Sequence, residues 1–308
     1  MSTEITYPEN LKHRYIPFAN GKYELKPGLR LLKEGEPIFL KDSDQAFLRA
    51  NKVACREEDI SKYYKTCRLA PETELALLKW FAARLCKETM EGFGKSKNGL
   101  LEFKGSHPFL VTLNGKLSQP KPIYTDAIDA ICSQIGEDVA VWQLEEHSDW
   151  LTAVHLCAPN HWSPAQKIGK NFDVVHQSVP GLEMLRKKYR PMLQKIAGSP
   201  ASVERFAWGI SQNCSLNAHP ESQHFSRTGV AIPTEEYFVR VERQTLTGLP
   251  TVKAFIFTIR TFFYPIKGFS EVEKQALCQG VKSMGNETKQ YKGISMSLES
   301  SLSEWCKT

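Results

Sequence analysis

Two long strand-like runs near the C-terminus constrain the fold more than any other feature of the sequence. They extend from Glu236 to Leu246 ("EYFVRVERQTL") and from Val252 to Tyr264 ("VKAFIFTIRTFFY"), and the turn sequence "TGLP" joins them. Because so short a connection joins antiparallel neighbours, the two runs predict a β-hairpin. The chain is therefore expected to contain an antiparallel sheet.

Other segments extend this sheet and supply helices to cover it. Strands are predicted from Asp138 to Glu146 and from Trp150 to Ala158, joined by the polar turn "HSD", and again from Glu204 to Ser211. Helices are predicted at Pro71–Glu88, at Tyr124–Gly136, at Val179–Gly198 with a bend at Pro191, and at Ser270–Gly285, which is expected to be the terminal helix with Ser270 as its N-cap.

This order of elements predicts an α+β fold, an antiparallel sheet covered by helices on one side. The sequence has no internal repeat and no low-complexity linker, so residues 1–308 are expected to form a single domain. Its helical N-terminal portion would span about residues 1–136, and the sheet with the C-terminal helix about residues 137–308.

Composition and motifs exclude several classes of function. A net charge of +6 over 308 residues, without dense Lys and Arg runs, argues against nucleic-acid binding. The most apolar run, Ala254 to Ile266, is too short to cross a membrane, and the N-terminus does not resemble a signal peptide. Eight cysteines without a C-x-x-C pair predict mostly reduced thiols in a cytoplasmic protein. No glycine-rich nucleotide motif follows a strand.

One connection, from His155 to Gly181, concentrates residues that can bind a metal. His176 follows two valines and precedes Val-Pro-Gly, so its ring is expected on a rigid, partly buried edge that would suit an axial haem ligand. A histidine that only bridges loop backbone is the alternative. Cys157 and His161 are further candidates, each with a structural alternative, and the spacing of His155, Cys157 and His161 matches no familiar zinc motif.

Polar residues within the C-terminal hairpin form a second candidate site. Arg240, Glu242 and Gln244 alternate on one face of their strand, and Arg243 lies on the other face. Arg260 and Tyr264 share a face of the following strand, so these polar residues are predicted to cluster around a cavity or to hold haem propionates. The alternative is an exposed face of salt bridges. Lys167 is a candidate to receive an anionic group, with surface solvation as its alternative.

Taken together, these segments resemble the haem-dependent oxidative N-demethylase family. The resemblance lies in the ordered set "CAPNHWSPAQKIGKNFDVVHQSVP", "RVERQTLTGLP" and "FTIRTFFYP", and it covers the chain roughly from the early helices to Tyr264. It implies a PAS-like sheet that binds haem b. Gln177 and Ser178 depart from the family pattern after the histidine, and "RFAWGIS" lacks the asparagine expected before Trp208.

The resemblance also assigns roles to residues of this sequence. It implies that His176 is the axial ligand of the iron, and that the cofactor-binding residues also include Lys167, Arg240, Arg243, Gln244 and Trp162. It implies catalytic roles for Glu242, Arg260 and Tyr264, with Glu242 a candidate to pair with a protonated amine or to relay a proton.

The implied activity is the oxidative N-demethylation of a small secondary amine with dioxygen, releasing formaldehyde. Because the sequence has no flavin or nicotinamide motif, the electrons are expected from NADPH through a separate flavin reductase that acts as a partner chain. Two alternatives remain open at this point: a PAS-like haem sensor, and a haem-free interaction protein.

Overall fold

The structure is a computed structural model that describes residues 7–8, 10–24, 28–183, 188–223 and 234–307. The chain contains runs of strands and runs of helices, and the strands form antiparallel sheets. The predicted α+β class is therefore confirmed. That the large sheet is PAS-like stays a prediction.

The large sheet has seven strands in the order β1-β9-β10-β11-β7-β8-β2. Every neighbouring pair in it is antiparallel. The strands are β1 (Arg30–Leu31), β2 (Tyr64–Thr66), β7 (Asp138–Leu144), β8 (Asp149–His155), β9 (Ser202–Ser211), β10 (Phe238–Leu249) and β11 (Ala254–Pro265). The predicted hairpins β7–β8 and β10–β11 are both present.

A small second sheet lies within the part that was predicted to be helical. Its strands, in the order β3-β4-β5-β6, are β3 (Phe93–Gly94), β4 (Gly99–Phe103), β5 (Phe109–Thr112) and β6 (Leu117–Ser118). Apolar residues alternate along β4 and β5, and Leu101, Phe103, Phe109 and Val111 join the core around the second helix. The prediction of a helical N-terminal portion over about residues 1–136 therefore holds for only part of that region.

Helices of the described residues precede, interrupt and follow the large sheet. They are α1 (Gln45–Tyr63), α2 (Pro71–Lys87), α3 (Ala127–Cys132), α4 (Pro164–Lys167), α5 (Phe172–Val175), α6 (Tyr189–Ala197), α7 (Glu271–Lys282), α8 (Asn286–Tyr291) and α9 (Met296–Trp305). Among the described residues, no helix is both long enough and apolar enough to cross a membrane.

Local sequence signals explain several of these helix boundaries. Pro71 opens α2, as predicted, and Glu72 and Glu74 lie in its first turn. Ser270 caps α7 in a reciprocal capping box with Glu273. The prediction that this helix is the last one is wrong, because α8 and α9 follow it.

The predicted helix from Val179 to Gly198 is only partly described, because residues 184–187 lie outside the described residues. Its C-terminal part is α6, which begins at Tyr189. Pro191 lies in the first turn of α6, where its missing N–H removes no helical hydrogen bond. The bend predicted there also involves residues 184–187, which lie outside the described residues.

Helices pack against both faces of the large sheet, so the prediction of cover on one side is wrong. One face, which carries Arg240, Glu242 and Gln244 and which we call the cavity face, packs against α6 through Leu193 and Ile196. The opposite face packs against α2, α3 and α7. The reason is that every residue of β7 and β8 is buried, which requires apolar cover on both sides of these strands.

Two of the eight cysteines form a disulfide. Cys278 of α7 is bonded to Cys306 directly after α9, and the other six cysteines are free. The expectation of mostly reduced thiols is therefore met by six of the cysteines, and the disulfide fastens the last helix to α7.

At Gly248, near its C-terminal end, β10 lies very close to the backbone at the end of α6. A Cβ atom at this position would lie 2.2 Å from the carbonyl oxygen of Ile196 and 2.4 Å from that of Ser199. We expect Gly248→Ala to lower the free energy of unfolding by about 1–3 kcal/mol, because backbone atoms of the α6 end would have to move. Urea denaturation followed by circular dichroism measures this change.

Gly209 of β9 provides the matched control. A Cβ atom there would meet nothing within 4 Å. Gly209→Ala should therefore change the free energy of unfolding by no more than about 0.5–1 kcal/mol. Equal losses in the two variants would contradict the close approach at Gly248.

Candidate functional site

A cavity of about 290 Å³ lies on the cavity face of the large sheet. Its floor consists of side chains from β7, β8, β9, β10 and β11, and its wall consists of residues between Asn160 and Leu182 together with α6. The volume lies near the lower end of the range of about 300–1,000 Å³ that is usual for small-molecule sites. The connection from His155 to Gly181 therefore does border a site of ligand size.

Most of the floor is apolar. Ala140 and Trp142 of β7 and Phe255, Phe257 and Ile259 of β11 line it. Trp142 and Phe255 are stacked in parallel with their ring centroids 5.9 Å apart. Flat aromatic and branched aliphatic side chains suit a planar apolar ligand.

His176 lies in the wall of this cavity, half-buried, directly after the short helix α5. Its Nδ1 lies 2.8 Å from the carbonyl oxygen of Phe172, and its ring stacks on that of Phe172 with centroids 4.0 Å apart. An N–H at Nδ1 that donates to this carbonyl fixes the tautomer, so the neutral ring has its lone pair on Nε2. This is the form in which imidazole binds a metal.

Asp149 at the start of β8 holds the wall that carries His176. Its Oδ2 accepts a hydrogen bond from the backbone N–H of Phe172 at 2.8 Å, and its Oδ1 accepts one from the hydroxyl of Tyr189 at 2.8 Å. Arg190 also lies 3.2 Å from Oδ1. A single buried carboxylate therefore ties β8, α5 and α6 together around the histidine.

Arg240, Glu242 and Gln244 of β10 line the cavity together, as predicted from their alternation. Glu242 accepts hydrogen bonds from Gln244 Nε2 at 3.0 Å and from the Arg240 guanidinium at 3.3 Å. Arg240 also donates to the carbonyl oxygen of Ala158 at 2.8 Å. These residues are buried or half-buried, so the alternative of an exposed salt-bridge face is wrong.

Two lysines and a second arginine add positive charge to the same cavity. Lys167 lies over the ring of Trp162, 4.1 Å from its centroid, and Lys292 donates to the carbonyl oxygen of Trp208. Burial lowers the pKa of each lysine to about 8, although the Glu242 carboxylate opposes the shift. Arg205 Nε is buried and makes no hydrogen bond to the described residues. The cavity therefore suits a ligand with anionic groups.

Arg260 and Tyr264 are not part of the polar cluster, contrary to the prediction. The register of the hairpin pairs Arg260 with Arg243 and places both on the opposite face of the sheet. Arg260 is completely buried there and donates to Asp44 Oδ1 at 2.5 Å. The hydroxyl of Tyr264 accepts a hydrogen bond from the backbone N–H of Tyr15 at 3.1 Å.

Arg243, which was predicted to bind the cofactor, is also remote from the cavity. Its guanidinium donates to Glu204 Oε2 at 2.8 Å and to the carbonyl oxygens of Pro37 and Ile38. These bonds attach the segment before α1 to the sheet. Because Arg243 lies on the face opposite the cavity and donates to Glu204 and to backbone carbonyl oxygens, its role is structural.

The other two metal-ligand candidates of the connection also lie away from the cavity. His161 is exposed and has a left-handed backbone conformation, with φ of 62°. Cys157 is fully buried and belongs to a small core with Cys55 and Tyr63. Of these two candidates and His176, only His176 lines the cavity.

Several residues of the cavity were missed by the sequence reasoning. Arg205 alternates with Ala207 and Gly209 along β9, so strand periodicity could have placed it on the same face as Gln244, its partner in the register. Lys292 and Tyr291 belong to the C-terminal region, and no local pattern connects them to β10. Asp149 resembled an ordinary turn residue.

One comparison with known proteins bears on this site. The model of a family described as "Haem-dependent oxidative N-demethylase, alpha subunit-like" matches residues 42–301. The match covers most of the chain, and it includes every strand of the large sheet except β1, the connection that carries His176 and both lysines of the cavity.

Proposed function

Because the chain belongs to the haem-dependent oxidative N-demethylase, alpha subunit-like family, we propose that it removes an N-methyl group from a small secondary amine. The bound haem would activate dioxygen, one oxygen atom leaving in formaldehyde and the other in water. The observation that supports this most strongly is the position of His176, whose ring borders a ligand-sized cavity in a fixed tautomer.

The donor set around the cavity fits haem b. His176 Nε2 would bind the iron, and the apolar floor with Trp142 and Phe255 would contact the porphyrin faces. Asp149 would maintain the position of the ligand by holding Phe172, whose carbonyl oxygen orients the ring.

The positive charges of the cavity would pair with the haem propionates. Lys167, Arg205 and Lys292 are the candidates, and the unpaired Nε of Arg205 is a buried donor that a carboxylate would satisfy. Trp162, which packs against Lys167, would position that lysine. Arg240 and Gln244 would hold Glu242 in place.

Glu242 is the one carboxylate among the residues that line the cavity, within the described part of the chain. We propose that it orients the amine by accepting a hydrogen bond from its nitrogen, or relays a proton to the site. Direct catalytic contact by Arg260 and Tyr264 is not part of the proposal, because both lie on the opposite face.

The electrons would come from NADPH through a separate flavin reductase. The family description names an alpha subunit, which supports the existence of a partner chain. A cytoplasmic location agrees with the use of NADPH as the electron donor.

The test combines absorption spectra with an assay for formaldehyde. The protein purified with haem should show a Soret band that shifts when carbon monoxide is added to the reduced form. With dimethylamine, NADPH and a flavin reductase, it should release formaldehyde and methylamine in equal amounts. A haem spectrum without any product from dimethylamine or other N-methylamines would favour a sensor, and no Soret band at all would overturn the proposal.

Glu242→Gln tests the role of the carboxylate. We expect kcat to fall by about 100-fold or more, because loss of a general acid or base commonly costs about 10²–10⁴-fold. The Soret band should stay. Glu146→Gln, at a side chain that is 87% exposed, is the control and should keep full activity. Unchanged turnover by Glu242→Gln would remove this residue from the mechanism.

A further inference from the structure

A second group of chemically reactive side chains lies away from the cavity, at the end of the β7–β8 hairpin. Asp138 begins β7, His155 ends β8, and Cys157 follows two residues later. Their exposed fractions are 1%, 1% and 0%. Although Val154 and Leu156 line the cavity, the intervening His155 contacts Asp129 of α3 instead. The proposed haem chemistry uses none of these residues.

The ligand atoms of these three residues converge. Cys157 Sγ, a ring nitrogen of His155 and a carboxylate oxygen of Asp138 all lie within 4.8 Å of one another. Cys157 Sγ lies 3.8 Å from His155 Nδ1. In a tetrahedral zinc site the ligand atoms are separated by about 3.4–3.8 Å, given zinc bonds of about 2.0–2.3 Å. Small side-chain adjustments would therefore bring these three atoms to the distances of a zinc site.

The outer contacts of the group are those of a metal-binding histidine. His155 Nε2 lies 3.2 Å from Asp129 Oδ1, and Arg56 in turn holds Asp129. A carboxylate on the far ring nitrogen orients the imidazole and increases the basicity of the other nitrogen, Nδ1, which faces Cys157. Asp138 is fixed by the backbone N–H groups of Cys157 and Ala158, at 2.9 and 2.7 Å.

A further thiol lies beside the group. The thiol of Cys55 in α1 donates a hydrogen bond to the carbonyl oxygen of Cys157, with Sγ at 3.6 Å from that oxygen. Zinc binding would displace the proton of each thiol, because the thiolate is the form that binds metals.

The surrounding charge also balances. A divalent ion bound by two thiolates, one carboxylate and a neutral imidazole carries one net negative charge. Lys52 Nζ lies 3.7 Å from Asp138 Oδ1 and donates to the carbonyl oxygens of Cys132 and Glu137 at 2.7 Å each. This buried ammonium would neutralise the loaded site, so the cost of placing the charges in the interior is reduced.

We propose that Asp138, His155 and Cys157 bind a structural zinc ion, and that Cys55 becomes the fourth donor when its Sγ, which lies outside the group of three converging ligand atoms, turns from the Cys157 carbonyl oxygen toward the ion. A mixed sulfur, nitrogen and oxygen donor set suits Zn²⁺, and a fully buried, closed site indicates a structural role. The ion would join β7, β8 and α1 directly behind the strands that form the floor of the cavity.

Zinc content and X-ray absorption of the haem-loaded, full-length protein test the proposal. After dialysis against EDTA, elemental analysis should find about one zinc per chain, and absorption at the zinc edge should show sulfur at about 2.3 Å and lighter donors at about 2.0–2.1 Å. These measurements need no variant, so a folding defect cannot obscure them. Protein grown with zinc that retains less than about one tenth of an ion per chain, or zinc without a sulfur ligand, would overturn the site.

Variants identify the ligands. Cys157→Ser and Asp138→Asn should each lower the zinc content several-fold, whereas Cys214→Ser, at a half-buried free cysteine elsewhere, should keep it. If Cys157→Ser retains its zinc, the ion is bound elsewhere in the protein and the proposal is wrong. Iron content and the Soret band, measured on the same samples, report on haem separately from zinc.

Discussion

The alanine variant of His176 should lose the haem spectrum of the wild-type protein. We expect the affinity for haem to fall by more than about 100-fold, because changes in the outer contacts of a metal ligand alone cost about 10–100-fold. The remaining apolar and cationic side chains of the cavity would not replace the nitrogen that His176 would supply to the iron. Titration of the haem-free protein with haem, followed at the Soret band, measures the loss.

Two further measurements show whether the loss of haem binding is specific to the imidazole of His176. His147→Ala removes a histidine whose side chain is 90% exposed, and its haem titration should match that of the wild type. Added imidazole should restore a bound-haem spectrum to His176→Ala, because the free ring can occupy the space of the missing one. If the variant keeps the band position and affinity of the wild type, His176 is not the ligand.

The second large effect is expected at Arg260. This completely buried arginine donates to Asp44 Oδ1 at 2.5 Å and to Gln45 Oε1 at 3.2 Å, and it lies 3.7 Å from Glu137 Oε1. Arg260→Met preserves much of the volume but leaves two buried carboxylates without their cation. We expect the free energy of unfolding to fall by about 3–5 kcal/mol, measured by urea denaturation.

The loss should also depend on pH. Burial raises the pKa of Asp44 above its usual value even when Arg260 is present. Protonation of Asp44 removes the cost of burying its charge. The loss of unfolding free energy in Arg260→Met relative to the wild type should therefore be smaller at about pH 5 than at about pH 8. A loss that grows as the pH falls would contradict this account.

Arg49→Met is the matched control for Arg260→Met. Arg49 pairs with Glu91 at 3.3 Å, but the Glu91 side chain is 82% exposed. Surface pairs of this kind contribute about 0–1 kcal/mol. If both arginine variants lose the same stability, burial of the charge cluster is not what makes Arg260 important.

The residues that surround Arg260 could not be predicted from the sequence. Alternation along β11 correctly put Arg260 and Tyr264 on one face, but it could not say which face of β10 would be adjacent. The register of the hairpin decides this, and a shift of one residue would have brought Arg260 beside Glu242. The space around Arg260 on its observed face is closely filled, because a Cβ atom at Gly136 would lie 1.6 Å from Arg260 Nη1.

The sequence by itself determined the elements and the pattern on each strand. Hairpin turns, Pro71, Ser270 and the alternation of Arg240, Glu242 and Gln244 are local signals, because backbone geometry and side-chain direction repeat over a few residues. The ordered motifs also indicated the family. These features need no knowledge of distant contacts.

Only the tertiary structure decided which charges meet. Lys292 from the C-terminal region, Arg205 from β9 and Lys167 from the long connection line the same cavity as Glu242, and Asp149 accepts hydrogen bonds from α5 and α6. Such meetings depend on strand register and on which helix covers which face, and both are set by the burial of the whole chain. The cavity with His176 at its edge is therefore a property of the packed sheet, not of any one segment.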